Sequence, residues 1–138
     1  MDAERYKGLK YPTWFETLSQ RDIDCIANGC GPKGFDYLVP DKFRLIGCDF
    51  SPSCEIHDVL YYFCESKKIA DNLFLENNLT IASRCFILFR PLAEWFAFLY
   101  YLAVKNCGDA AYNRSYYDED MAFRKKEYGT GKMLTSNP

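Results

Sequence analysis

The sequence predicts a mainly α-helical single domain that spans residues 1–138. Several segments carry apolar residues at helical spacing between recognisable helix start and stop signals. The stretch between the first two of these segments is interrupted by glycine and proline, so little β-structure is expected beyond a short ribbon. A chain of 138 residues is also long enough to bury a hydrophobic core.

A first helix is predicted over residues 14–27, after a loop that ends at Pro12. Thr13 and Glu16 match a capping box, in which the threonine side chain accepts from an early N–H and the glutamate reaches back. The pair Asn28-Gly29 readily takes a left-handed conformation and is expected to end this helix.

Residues 28–52 are predicted to form one long loop, because glycine and proline recur too often for regular structure. Loops of this length in compact domains are usually functional. Three further helices are predicted over 53–65, 69–88 and 91–107, with another extending through the tail to about residue 127.

The most apolar run, residues 85–104, approaches the length of a membrane span. Arg90 and Glu94 interrupt it, and charges are costly in hydrocarbon. We therefore expect no transmembrane span but two buried helices that meet at Pro91, with a membrane-surface role as the alternative. Five large aromatic residues are expected in the core, with a minority of them as an apolar rim for lipid: Trp14, Phe15, Trp95, Phe96 and Phe98.

Composition narrows the classes of partner and compartment. The formal net charge is −2 and no long basic run is present, so no nucleic-acid partner is expected. Seven cysteines indicate an oxidising compartment. The polar residues that follow Met1 do not resemble a signal peptide, so a cytoplasmic location with reduced thiols is the alternative.

The densest chemistry lies in the predicted helix that follows the loop. The only histidine of the chain, His57, shares one side of that helix with Cys54, Asp58 and Tyr61. A neutral imidazole can take a proton from water near neutral pH when an acceptor orients its other nitrogen. Asp71 is the first candidate for that acceptor.

Glu76 is the second candidate for the acceptor, and a purely structural histidine is the alternative to both.

In the preceding loop, Gly29, Gly31 and Gly34 favour inward-facing carbonyls that form an oxygen cage for calcium. Asp58 can complete such a cage if a Cys30–Cys54 disulfide ties the loop to the helix. The alternative is that these glycines are ordinary turn residues.

These residues together resemble a known family. The pattern Cys54-x-x-His57-Asp58-x-x-Tyr61, preceded by Asn28-Gly29-Cys30-Gly31, resembles secreted phospholipase A2, nearest to its divergent group XII-like branch. Cys64 and the segment Asp71-x-x-Phe74 appear in the same order, so the resemblance covers residues 28–76. It implies an antiparallel helix pair that carries the His-Asp site, preceded by a Gly-rich calcium loop.

The resemblance implies a calcium-dependent phospholipase A2 that hydrolyses the sn-2 ester of glycerophospholipids at a membrane or micelle surface. His57 would be the general base on a water molecule. Asp71 would orient the imidazole and Tyr61 would support Asp71. The family is secreted, which implies a secreted or extracytoplasmic location.

For the metal, the resemblance implies a Ca²⁺ ion held by the Asp58 carboxylate and by the backbone carbonyls of Gly29, Gly31 and Lys33. The ion and the Gly31 N–H would together stabilise the oxyanion. Lys33 stands where most relatives have glycine. Leu60 and Ala70 stand where the family usually has a disulfide, so an apolar contact is expected in its place.

Three other interpretations fit parts of the same pattern. A phospholipase-like protein that binds lipid or a partner without turnover is the second hypothesis, favoured by Lys33. A cysteine–histidine nucleophilic pair ranks lower because no cysteine has a recognisable protease context. A zinc-stabilised module is the third, and its ligands would be Cys48, Cys54, His57 and Cys64.

Overall fold

A computed structural model describes residues 1–27, 42–43, 48–63, 65–109 and 112. This part of the chain is mainly helical, as predicted. Its regular elements are a 3-10 helix at Thr13–Thr17, α1 at Gln20–Ile26, β1 at Lys42–Phe43, β2 at Cys48–Asp49, α2 at Ser51–Tyr62, α3 at Lys67–Ser83 and α4 at Arg90–Cys107. β1 and β2 pair antiparallel as a short ribbon, with Phe43 opposite Cys48.

Helices α2 and α3 run antiparallel, side by side. Ser53 Oγ donates to the carbonyl oxygen of Phe74, and one turn further along α2 His57 meets Asp71. Residue numbers therefore rise along α2 while they fall along α3. The connection between the two helices is short, which itself favours antiparallel neighbours.

Helix α4 packs on α3, again antiparallel. Near the start of α3, Lys67 Nζ donates to the carbonyl oxygen of Val104, 3.1 Å away, and further along α3 Asn72 pairs with Tyr101. The small side chains Ala93 and Ala97 are fully buried on α4. Helix α3 thus contacts both α2 and α4.

The N-terminal segment packs against α2. The carboxylate of Glu55 accepts hydrogen bonds from the guanidinium of Arg5 and from the hydroxyl of Tyr6, and the Tyr6 ring is fully buried. On α3, the side chain of Asn77 bonds the backbone of Lys10 through both its oxygen and its nitrogen. These contacts tie the N-terminal segment to both α2 and α3.

The prediction of one continuous helix over 14–27 is wrong, because the structure has a 3-10 helix and the separate helix α1 there. A capping box lies at the start of α1. Ser19 Oγ accepts from the backbone N–H of Asp22 at 3.1 Å, and the Asp22 carboxylate accepts from the N–H of Ser19 at 3.2 Å. Pro12, not Thr13, takes the cap position of the 3-10 helix.

The predicted helix over 69–88 ends at Ser83, and residues 84–89 connect it to α4. Cys85 in this connection is disulfide-bonded to Cys48 of β2, 37 residues earlier in the chain. The two helices of the apolar run therefore do not meet at Pro91, which instead lies in the first turn of α4, where its missing N–H costs nothing.

The expected burial of the apolar run is partly wrong. Trp14 and Phe15 lie in the core, whereas the side chains of Trp95 and Phe98 are 55% and 50% exposed. Phe96 is partly buried against the core. Among the described residues, no helix combines the length and apolarity that a bilayer span requires.

Candidate active site

His57 lies on α2 with its imidazole buried between aromatic rings. Its ring centroid is 4.1 Å from that of Tyr61, one turn later in the same helix, and 4.7 Å from that of Phe74 on α3. Only 5% of the side chain is exposed. The imidazole is therefore enclosed between α2 and α3.

Asp71 on α3 faces this imidazole. Its Oδ1 lies 3.0 Å from His57 Nε2 and also accepts a 2.6 Å hydrogen bond from the hydroxyl of Tyr61. Glu76, the second candidate for the acceptor, is instead paired with Lys10 at 2.7 Å near the surface. The structure thus brings together His57, Asp71 and Tyr61.

Lys67 is a member of this cluster that the sequence analysis did not identify. Its Nζ donates to Asp71 Oδ2 at 2.8 Å, so both oxygens of the buried carboxylate are satisfied. The same ammonium group donates to the carbonyl oxygens of Val104 and Lys105 at the end of α4. Lys67 precedes Asp71 by four residues, a spacing at which helical residues form ion pairs, but the predicted helix began only at residue 69.

The Asp71 carboxyl is ionised despite its burial. Burial favours the neutral acid, but hydrogen bonds from His57, Lys67 and Tyr61 outweigh this effect and lower the pKa of Asp71 to about 2. The pKa of the Tyr61 hydroxyl is raised, first by burial and then by its bond to the Asp71 carboxylate. Tyr61 therefore remains a hydrogen-bond donor.

The ionised Asp71 determines which imidazole nitrogen carries the proton. A carboxylate only accepts hydrogen bonds, so His57 Nε2 must donate to it. In the neutral imidazole the lone pair is then on Nδ1, which lies 4.0 Å from Asp58 Oδ1. Burial alone would lower the pKa of His57, but Asp58 and Asp71 together raise it above 6.5.

Asp58 is the only expected calcium ligand within the described residues. Its side chain is 23% exposed, on the helix turn that carries His57. A carboxylate oxygen is the hard ligand that calcium prefers, so this residue fits the expected metal. The other expected ligands, Gly29, Gly31 and Lys33, lie outside the described residues. Gly31 is also the expected N–H donor to the oxyanion.

The described part of the chain holds no group of three or more His, Cys, Asp or Glu side chains placed to bind a metal ion. The expected calcium site needs only one such side chain, Asp58, because its other ligands are backbone carbonyls. For zinc, the arrangement is unfavourable: Cys48 is bonded to Cys85 and Cys54 is also disulfide-bonded, so neither offers a thiolate.

Two further expectations concern the disulfides. Cys54 is disulfide-bonded, but Cys30, its expected partner, lies outside the described residues, as does Cys64. Leu60 and Ala70, which replace the cysteines of the family disulfide, are both fully buried in the core. Both residues belong to the hydrophobic core.

Comparison with known proteins identifies no relative of this chain. No family model, characterised protein or solved structure shows significant similarity to the chain.

Proposed function

We propose that the protein is a calcium-dependent phospholipase A2 that hydrolyses the sn-2 ester of glycerophospholipids. The observation that carries the proposal is the contact between His57 Nε2 and Asp71 Oδ1, 3.0 Å long and buried, with Tyr61 bonded to the same oxygen. This arrangement leaves the opposite nitrogen of a neutral imidazole as the base. The sequence pattern around His57 supplies the reaction class through its resemblance to the family.

In this mechanism His57 Nδ1 takes a proton from a water molecule, and the resulting hydroxide attacks the ester carbonyl carbon. Asp71 holds the ring in the required tautomer and stabilises the imidazolium that forms. Tyr61 and Lys67 keep the Asp71 carboxylate ionised and fixed in position. The imidazolium then returns its proton to the departing alcohol, which leaves lysophospholipid and a fatty acid.

The Asp58 carboxylate and the carbonyls of Gly29, Gly31 and Lys33 would hold the metal. When bound, calcium supplies positive charge that stabilises the oxyanion of the tetrahedral intermediate. Asp58 lies next to His57 in the chain, so one helix turn orients both the base and the metal ligand. The Gly31 N–H would be a second donor to the oxyanion.

The test is hydrolysis of phosphatidylcholine vesicles by the full chain, in calcium and in chelator, with fatty-acid release as the readout. We expect release in calcium only. The variant His57→Gln should lose about 10²–10⁴-fold in rate, the range that general-base catalysis supplies. Asp71→Asn should lose up to about 10⁴-fold, because an amide no longer enforces the tautomer with the proton on Nε2.

Glu76→Gln is the matched control for Asp71→Asn. It makes the same chemical change at the other acidic candidate on α3, and Glu76 contacts Lys10 and not His57. Its rate should equal that of the wild type. Hydrolysis that persists in chelator, or that survives His57→Gln, would reject the mechanism.

A second candidate is a phospholipase-like protein that binds lipid without turnover. Lys33 in the expected calcium loop favours it, because most relatives have glycine at this position. Vesicle binding without fatty-acid release over the full range of pH and calcium concentration would select this candidate.

A further inference from the structure

The connection between α3 and α4 exposes four large apolar side chains in succession. Phe86, Ile87 and Leu88 are 75%, 82% and 86% exposed, and Phe89 follows at 40%. Exposed single hydrophobic residues are ordinary, but a contiguous group of this size marks an interaction site. We call these four residues the apolar tip.

The exposed apolar surface continues along α4. Leu92, Trp95, Leu99 and Leu102 recur at intervals of three or four residues on one side of the helix, and Phe98 adjoins them. The opposite side packs on the core through Ala93, Ala97 and Tyr100. We call the apolar tip and these five α4 residues together the apolar edge.

The base of the apolar tip is fixed. Cys85, directly before it, is bonded to Cys48 of β2, and the side chain of Arg84 donates to the carbonyl oxygen of Lys7. At its far side the N–H groups of Phe89 and Arg90 both donate to the carbonyl of Phe86. The tip is therefore an ordered turn that holds its side chains outward.

The charges beside the apolar tip are basic. Arg84 and Arg90 flank it, and the sequence contains no Asp or Glu between Glu76 and Glu94. Arg90 pairs with Glu94 at 3.0 Å, further along α4. Guanidinium groups beside exposed apolar side chains suit a surface that has an apolar interior beneath a layer of phosphate.

We propose that the apolar edge docks the protein on a phospholipid surface, with the apolar tip inserted among acyl chains and Arg84 and Arg90 at the level of the phosphates. Trp95 then lies at the headgroup boundary, where indole rings are favoured. The proposal rests on the proposed function for its choice of lipid as the partner, and adds the surface through which the protein reaches that lipid.

The experiment measures binding of the full chain to vesicles in chelator, where the proposed hydrolysis does not proceed. Sedimentation gives the bound fraction on phosphatidylcholine vesicles with and without phosphatidylglycerol. Ile87→Ser and Leu88→Ser should each weaken binding about tenfold, because each removes one inserted aliphatic side chain. At more than 80% exposure, neither substitution removes core packing.

Ile69→Ser is the matched control. Ile69 is an exposed aliphatic residue, 43% accessible, near the start of α3 and far from the tip at its other end. This variant should bind like the wild type. Arg84→Gln together with Arg90→Gln should reduce binding to phosphatidylglycerol-containing vesicles more than binding to pure phosphatidylcholine.

Trp95 provides a second readout. Its emission should shift to the blue on binding, and Trp95→Phe should abolish the shift while most binding remains. The proposal is overturned if the wild type does not bind vesicles, or if Ile87→Ser and Leu88→Ser bind as it does. It is also overturned if sedimentation velocity shows a dimer that Leu88→Ser disrupts while lipid binding is unchanged.

The two proposals fail separately. A wild-type chain that binds vesicles in chelator but releases no fatty acid in calcium refutes the hydrolase and leaves the docking surface intact. A chain that hydrolyses monomeric short-chain phospholipid but does not bind vesicles refutes the docking surface alone.

Discussion

Lys67 Nζ lies 2.8 Å from Asp71 Oδ2, one turn away on α3, and also donates to the backbone carbonyls of Val104 and Lys105. One ammonium group therefore joins the candidate active site to the C-terminal end of α4. Carbonyls at a helix C-terminus carry partial negative charge, so this cation stabilises that helix end as well as the buried carboxylate. The position of α4 is thereby coupled to that of Asp71.

Lys67→Met is expected to destabilise the protein by about 1–3 kcal/mol, because Asp71 Oδ2 and two helix-end carbonyls lose a charged donor. The measurement is the free energy of unfolding from urea denaturation at neutral pH. Lys68→Met, which removes the same charge from the adjacent exposed position, should change it by less than about 0.5 kcal/mol. Equal effects of the two variants would show that the contacts of Lys67 contribute nothing.

Asp71→Asn should alter how stability depends on pH. The folded-state pKa of Asp71 is lowered from 3.8 to about 2, so its ionised form stabilises the fold above pH 4, and this contribution is lost as the pH falls towards 2. The shift corresponds to about 2 kcal/mol. The difference in unfolding free energy between wild type and variant should thus shrink by roughly that amount between pH 5 and pH 2.

Asp24→Asn is the control for this pH dependence, since it makes the same change at an exposed position on α1. The difference in unfolding free energy between Asp24→Asn and wild type should stay constant between pH 5 and pH 2. If the Asp71→Asn curve runs parallel to that of the wild type down to pH 2, the carboxylate is not held ionised by its three donors.

The single histidine allows a direct test of the charges around it. Asp58 and Asp71 both raise the pKa of His57 against the opposing effect of burial, so Asp58→Asn should lower it. NMR titration of the one imidazole in chelator measures this value without assignment of other histidines. Asp24→Asn, with an equal change in net charge, should leave the titration unchanged, and a raised pKa in Asp58→Asn would contradict the assignment.

Part of the site's geometry could be predicted from local rules, since helical spacing placed His57 and Tyr61 on one side of α2. That α3 returns alongside α2 with Asp71 opposite His57 was expected only from the resemblance to the family. Lys67 was missed because the predicted helix began at residue 69, so this lysine was expected before the helix, among solvated residues. Its role depends on the end of α4, which no local pattern near Lys67 reveals.

The errors arose where tertiary contacts decide between equivalent local signals. Thr13-x-x-Glu16 and Ser19-x-x-Asp22 both fit a capping signal. A 3-10 helix with buried Trp14 and Phe15 follows the first signal, and α1 begins after the second. For Trp95, apolar composition predicted burial. Hydropathy measures the preference of a side chain for an apolar environment, and does not show whether this chain itself provides one.

The Cys48–Cys85 disulfide joins two residues with a sequence separation of 37, and the segment between them includes all of α2 and α3. Loop-closure entropy assigns such a bridge about 2–4 kcal/mol of stability, because it restricts the unfolded chain. The double variant Cys48→Ala/Cys85→Ala should therefore unfold at a lower urea concentration by an amount equivalent to that free energy. Cys25→Ala/Cys107→Ala, which removes two exposed free thiols, is the control and should leave the midpoint unchanged. If both double variants unfold at the wild-type midpoint, the bridge does not constrain the helix pair that carries His57.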